Sequence, residues 1–170
     1  EIKQVIKMPK NILRVLAEGI QRAELVDIDD NPEYLDADIL TFAEEDVMEP
    51  NEKEALLRSM KETFERYCGV NGKVSKELIS QIMELTDLEK ATAQIAMNIP
   101  LFYEQKQKVL EAVELKERCE LLCSIMENEI QIMQIKIEIQ EKVKERIDKN
   151  QREYIMREQM KLIREELKED

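Results

Sequence analysis

Residues 101–170 read LFYEQKQKVLEAVELKERCELLCSIMENEIQIMQIKIEIQEKVKERIDKNQREYIMREQMKLIREELKED and contain neither Gly nor Pro. These two residues interrupt helices most strongly, so their removal over such a distance predicts a long helix, which usually carries a partner or sets a spacing. Leu115, Cys119, Leu122 and Met126 share one helical face, suited to packing on whatever precedes them, and a turn or kink is expected near 127–129. Ile130, Ile132, Ile135, Ile137 and Ile139 nearly alternate, as a strand would. The Gln, Glu and Lys between them, and helix formers on both sides, favour helix, with the Ile covered on more than one side.

Past Gln140 the apolar stripe narrows. Ile139, Val143, Ile147, Asn150 and Tyr154 step by four, four, three and four, and Met156, Met160, Ile163 and Leu167 by four, three and four. About two apolar positions in seven is the pattern of a coiled-coil seam rather than of a globular core face. A helix over 129–170 would reach ~60 Å at 1.5 Å per residue, longer than a compact domain of this size, and so is expected to project.

The first fifty residues have another texture. Residues 2–8 alternate loosely, Pro9-Lys10-Asn11 signals a turn, and 12–17 is β-branched enough to pair back as a hairpin. Two further strands are expected at 22–28 and 37–43, separated by a polar loop with Asn31-Pro32. Four short strands neither close a barrel nor cover both faces of a sheet, so the remaining strands are expected upstream of Glu1. The chain opens on Glu without a signal-peptide pattern and reads as an excised fragment.

From Pro50 the period becomes helical. Leu56, Leu57, Met60, Phe64 and Tyr67 form one buried stripe, with Gly69 expected as the stop. Ser75 is expected to cap a second helix with Leu78, Ile79, Ile82 and Met83 inward. Thr86-Asp87-Leu88-Glu89 fits a capping box that opens a third, burying Leu88, Ile95 and Ile99 and ending before Pro100. A fourth short helix is expected over 103–111. The fold class is therefore α+β, mostly α, with a partial β-rich lobe at 1–49, a helical bundle at 50–112, and a bundle helix at 113–170 that continues as a long coiled-coil-like helix.

Composition narrows the chemistry. A net charge of −12, from 26 Lys and Arg against 38 Asp and Glu, carries no nucleic-acid signal, since neutralising phosphates requires clustered cations. No apolar run approaches the ~18 residues of a membrane span. Residues 27–54 hold twelve carboxylates against one cation, Lys53, but lack the D-x-[DN]-x-[DN]-G calcium loop and read as a solvated face. Cys68, Cys119 and Cys123 suggest a reducing compartment, hence a cytoplasmic protein; with no His for a zinc site, they read as buried thiols. There is no His for general base work, no phosphate-binding Gly-rich loop and no G-x-S-x-G elbow. No catalytic, cofactor-binding or metal residue is assigned.

Three stretches resemble one known family. Asn150-Gln151-Arg152-Glu153-Tyr154, continuing through Arg157-Glu158-Gln159-Met160-Lys161 to Glu165-Glu166-Leu167, resembles the run that precedes the ATPase module of Lon proteases. Arg14-Val15-Leu16-Ala17-Glu18-Gly19-Ile20-Gln21-Arg22-Ala23 is similar to that family's RVLVEGLQRA, and Ile95-Ala96-Met97-Asn98-Ile99-Pro100-Leu101 to its IAAHLPL. The matches fall in family order over nearly the whole chain; Asn98 stands where His is usual, and Val113 where a polar helix cap is.

The resemblance implies the second part of a PUA-like N-terminal lobe, a small helical bundle, and a long helix leading toward an AAA+ ring. It implies a non-catalytic region that helps capture unfolded, damaged or degron-bearing proteins and helps hold a hexamer together. ATP and Mg, and a Ser-Lys protease dyad, belong to absent parts of the parent. Met133, Tyr154, Met156, Met160, Ile163 and Leu167 are the candidate client or helix-partner contacts, because flexible, polarisable Met adapts to varied apolar side chains; the plainer reading is that the Met fill seam and core gaps. A free-standing coiled-coil scaffold or adaptor is the alternative reading.

Overall fold

The computed structural model describes residues 1–42 and 47–168. Four strands, β1 (Ile2–Met8), β2 (Ile12–Ala17), β3 (Ala23–Asp30) and β4 (Leu35–Thr41), precede five helices. These are α1 (Pro50–Val70), α2 (Lys76–Glu84), α3 (Leu88–Asn98), α4 (Tyr103–Glu111) and α5 (Leu115–Glu166). The α+β, mostly helical class is thus as expected.

The strands form two separate antiparallel hairpins, β1 with β2 and β3 with β4. In the first, Lys10 (φ 68°) and Asn11 (φ 57°) both take left-handed backbone. Asn tolerates that conformation readily; Lys10 does so at a cost of about 1 kcal/mol. In the second, the Asn31 side chain accepts from the Glu33 N–H at 3.1 Å and tightens the loop. The expected strand at 22–28 lies at Ala23–Asp30, and that at 37–43 at Leu35–Thr41; Ala43 falls outside the described residues. Each strand runs longer toward the 31–34 loop because cross-strand pairing, down to Asp30 opposite Leu35, overrides the low strand propensity of Asp.

The chain divides into two compact units, Glu1–Arg58 with Thr86–Leu122, which includes both hairpins, and Ser59–Leu85 with Cys123–Asp170. In the first, Leu57, Leu88, Ala91, Ile95, Ile99, Val109, Ala112, Cys119 and Leu122 are buried. Arg118 is 2% exposed, yet its guanidinium donates to the carbonyls of Ala112 (2.9 Å) and Val113 (2.7 Å). It thereby satisfies carbonyls of the connection between α4 and α5 that no helical bond reaches. Thr92 donates back to the Leu88 carbonyl at 2.6 Å and lies 3.2 Å from the Cys119 sulfur.

The second unit buries Met60, Phe64, Tyr67, Ile82, Met126 and Ile130. Lys61 spans 2.7 Å to the Met83 carbonyl and 2.5 Å to that of Leu85, holding the end of α2, while Arg66 pairs with Glu127 on α5. Ser75 caps α2 as expected, its hydroxyl accepting from the Leu78 N–H. Gly69 does not stop α1, which runs to Val70; Asn71 ends it, donating through Nδ2 to the Tyr67 hydroxyl at 2.8 Å.

Three further expectations are corrected. The cap of α3 is Asp87, accepting from the Lys90 N–H at 2.8 Å, not a box between Thr86 and Glu89. A charged carboxylate at the N-terminus also meets the positive end of the helix dipole, which favours it over the neighbouring hydroxyl. The kink near 127–129 is absent: α5 is continuous for 52 residues, because Met126 and Ile130 are buried while the Arg66–Glu127 pair lies outside them. The two-sided cover of the Ile run fails as well. Ile132, Ile135, Ile137 and Ile139 are exposed, and none of the described residues beyond Ile130 is buried.

Replacing Arg118 with Met, which keeps length but removes both donors, should lower the unfolding free energy by about 2–3 kcal/mol, because the carbonyl of the buried Ala112 and the partly buried bond to Val113 both lose a charged donor. Urea titration followed by helical circular dichroism measures it. The thiols supply a second prediction. Burial, aided by Glu65, pushes the Cys68 thiol up to about 11, and burial raises that of Cys119 despite its bond to Thr92. At pH 7.5 Cys68 should alkylate roughly a hundredfold or more slower than free cysteine, accelerating about tenfold per pH unit toward pH 11, read by mass spectrometry of iodoacetamide-treated protein. The proton held in the folded state stabilises the fold below the unfolded thiol's pKa of ~8.5, and that contribution is lost as the pH rises toward 11.

Candidate functional site

The outer part of α5 holds itself as a helix without a core. Glu138 and Lys142, Glu145 and Lys149, and Glu153 and Arg157 stand at i and i+4 with the acid first, a charge order that favours helix, although the side chains of these pairs are not joined by a salt bridge. Isolated helices are marginal in water, and large exposed apolar surfaces on a helix are the kind that mark interaction sites.

The candidate contacts occupy distinct places on it. Met156, Met160, Ile163 and Leu167 form one exposed stripe, with Met156 64% exposed. Tyr154 does not belong to this stripe. It continues the line of Val143, Ile147 and Asn150, and with Ile147, Asn150, Gln151 and Ile155 lines a shallow, mainly apolar depression. Met160 borders a second depression, whose other lining residues are Arg157, Lys161, Arg164, Glu165 and Lys168. Met133 is half-buried and stands 23 residues before Met156, or ~35 Å along the helix axis. The structure thus groups four of the six, and separates Tyr154 by face and Met133 by distance.

Other exposed apolar groups escaped the sequence reading. In the first unit, Met97, Phe102 and Tyr103 are open to solvent, and Lys106 donates to the Met97 carbonyl at 3.1 Å across the α3–α4 connection. Periodicity could not single them out, because Phe102 and Tyr103 sit where one helix ends and the next begins. A usable signal was Pro100, which forces a helix boundary and leaves the aromatics after it outside any apolar stripe. On β3 and β4, Leu25, Ile28, Leu35 and Ile39 are likewise exposed.

Among the described residues no group of three or more Cys, Asp and Glu could hold a metal ion, and no helix is long and apolar enough to cross a membrane. The surface chemistry offered is apolar contact and charge. It suits binding of other polypeptides.

Comparison with known proteins agrees with this. Residues 1–128 match the family model described as the ATP-dependent protease La (LON) substrate-binding domain. The chain is 44% identical over 171 aligned positions to a Lon protease of Lachnoclostridium phytofermentans, covering 99% of this chain and 21% of the relative. It is 37% identical to that of Brevibacillus choshinensis and 36% identical to that of Escherichia coli K12, covering 98% and 99% of this chain and again 21% of each relative. The chain therefore spans about a fifth of the length of the curated relatives it matches. A solved N terminal domain of a Mycobacterium avium complex Lon protease shares the fold, with a TM-score of 0.60 at 21% identity over 75% of this chain and 67% of that one. With three-quarters of its residues under the family model and relatives this similar along its whole length, the chain belongs to the Lon protease family and carries the family's substrate-binding domain.

Proposed function

We infer that this chain is the non-catalytic client-recognition region of an ATP-dependent Lon-type serine protease of the cytoplasm, acting on unfolded, damaged or degron-bearing proteins and contributing to hexamer assembly. The observation that carries the reading is the match of residues 1–128 to a substrate-binding domain. ATP with Mg, and a Ser-Lys dyad, would act in parts of a parent chain about five times longer than this one.

The apolar groups exposed on α5 support a binding role. Met156, Met160, Ile163 and Leu167 present an adaptable surface of the kind that accepts many sequences, with Tyr154 and Met133 as further contacts. The same stripe suits pairing with a neighbouring copy, since two apolar positions in seven make a coiled-coil seam. A free-standing coiled-coil scaffold would use α5 similarly but would have no need of the matched substrate-binding region.

Two experiments bear on this. Binding of a fluorescent client in its unfolded form should exceed that of its folded form by about tenfold or more, and Met156→Lys with Met160→Lys should weaken it by about tenfold, equivalent to ~1.4 kcal/mol. Undiminished binding by a variant with full helical content removes these two Met from the client surface. Deleting 156–170 should weaken self-association at matched concentration, read by light scattering.

A further inference from the structure

The exposed seam of α5 changes chemistry at Arg157. Val143, Ile147, Asn150 and Tyr154 step by four, three and four; continuing that register gives 157, 161, 164 and 168, which are Arg, Lys, Arg and Lys. The apolar side chains meanwhile move one position earlier, to Met156, Met160, Ile163 and Leu167, about 100° around the helix. Helix α5 is continuous through this point to Glu166, and a hydrogen-bonded turn carries the chain on to Lys168, so the face that was apolar becomes cationic over ~17 Å. All four cations are exposed, and among the described residues none is ion-paired. Glu165 borders the stripe, while Glu166 stands on the opposite side of the helix.

The β3–β4 hairpin carries the complement. Along β4, Leu40, Asp38 and Asp36 share one face, and their cross-strand partners are Glu24, Asp27 and Asp29. One face therefore holds five exposed carboxylates, with Asp27 directly opposite Asp38 and Asp29 opposite Asp36. Like charges at directly opposed positions destabilise a hairpin, and a row of cations laid across them would relieve it. From Glu24 to Asp29 the face runs ~17 Å, the length of the stripe.

We propose that the cationic stripe Arg157, Lys161, Arg164 and Lys168 of one copy docks on the acidic face Glu24, Asp27, Asp29, Asp36 and Asp38 of a second copy. Copies of net charge −12 repel at long range, so an attractive approach confined to one pair of surfaces sets their orientation as well as their affinity. The contact is distinct from the client surface and requires no client for its test.

The test is sedimentation equilibrium of the 170-residue chain and its charge reversals. Raising salt from about 0.1 M to about 1 M, which shortens the screening length from ~10 Å to ~3 Å, should weaken self-association by about tenfold or more. Lys161→Glu with Arg164→Glu should weaken association by about tenfold or more, as should Asp29→Lys with Asp36→Lys. Mixing the two variants should restore it, because each then meets an opposite charge, and joining all four changes in one chain should restore it as well. Association unchanged by either reversal, or lost without recovery on mixing, overturns the proposal. So does association that survives high salt but fails with Met156→Lys, which would assign the contact to the apolar stripe. Retained self-association together with stripe-dependent capture of a short polyphosphate overturns it in favour of a phosphate-rich partner.

Discussion

An unbroken α5 is the constraint on which the rest depends. It supplies Cys119 and Leu122 to the core of one unit and Met126 and Ile130 to that of the other, within twelve residues of one helix. Side chains four residues apart, as Met126 and Ile130 are, hold a common face only if the backbone between them stays helical. A break at 127–129 would rotate Met126 and Ile130 out of register. The Arg66–Glu127 pair and the burial on either side of it keep that register, and the acidic side chains there are accommodated at the edge of the contact.

Polar groups inside the two units follow the same economy. Arg118 is buried because its aliphatic stem can lie among apolar neighbours while its fork reaches the carbonyls of Ala112 and Val113. Lys61 does the same work at the end of α2. Thr92, Tyr67 and Asn71 each find a partner within their own helix or one residue beyond it, so these small cores hold few polar groups without one.

What the fold buries and what it leaves open together define the interaction chemistry. Both hairpins and the outer half of α5 keep their apolar side chains exposed, while the catalytic inventory is empty of His and of phosphate-binding loops. The chain therefore presents apolar surface and charged surface side by side, with few residue types suited to catalysis. The β3–β4 hairpin makes the separation visible, since its bulge between Leu25 and Asp27 keeps Glu24, Asp27 and Asp29 on one face and Leu25, Ile28, Leu35 and Ile39 on the other.

By itself the sequence determined the elements. Helix breakers and their absence placed α4 and the long α5, Pro100 ended α3, Ser75 capped α2, and Pro9-Lys10-Asn11 turned the first hairpin, because each acts through backbone geometry within a few residues. The family was likewise legible, in the run Asn150 to Leu167 and in two shorter stretches. Tertiary structure alone decided which faces are covered. The same Ile spacing serves a buried or an exposed helix, so only the fold could show that cover stops at Ile130; the same acidic run serves a loop or a face, so only strand pairing could set Asp27 against Asp38 and Asp29 against Asp36. Burial and cross-strand register depend on residues distant in the chain, and no local pattern encodes them.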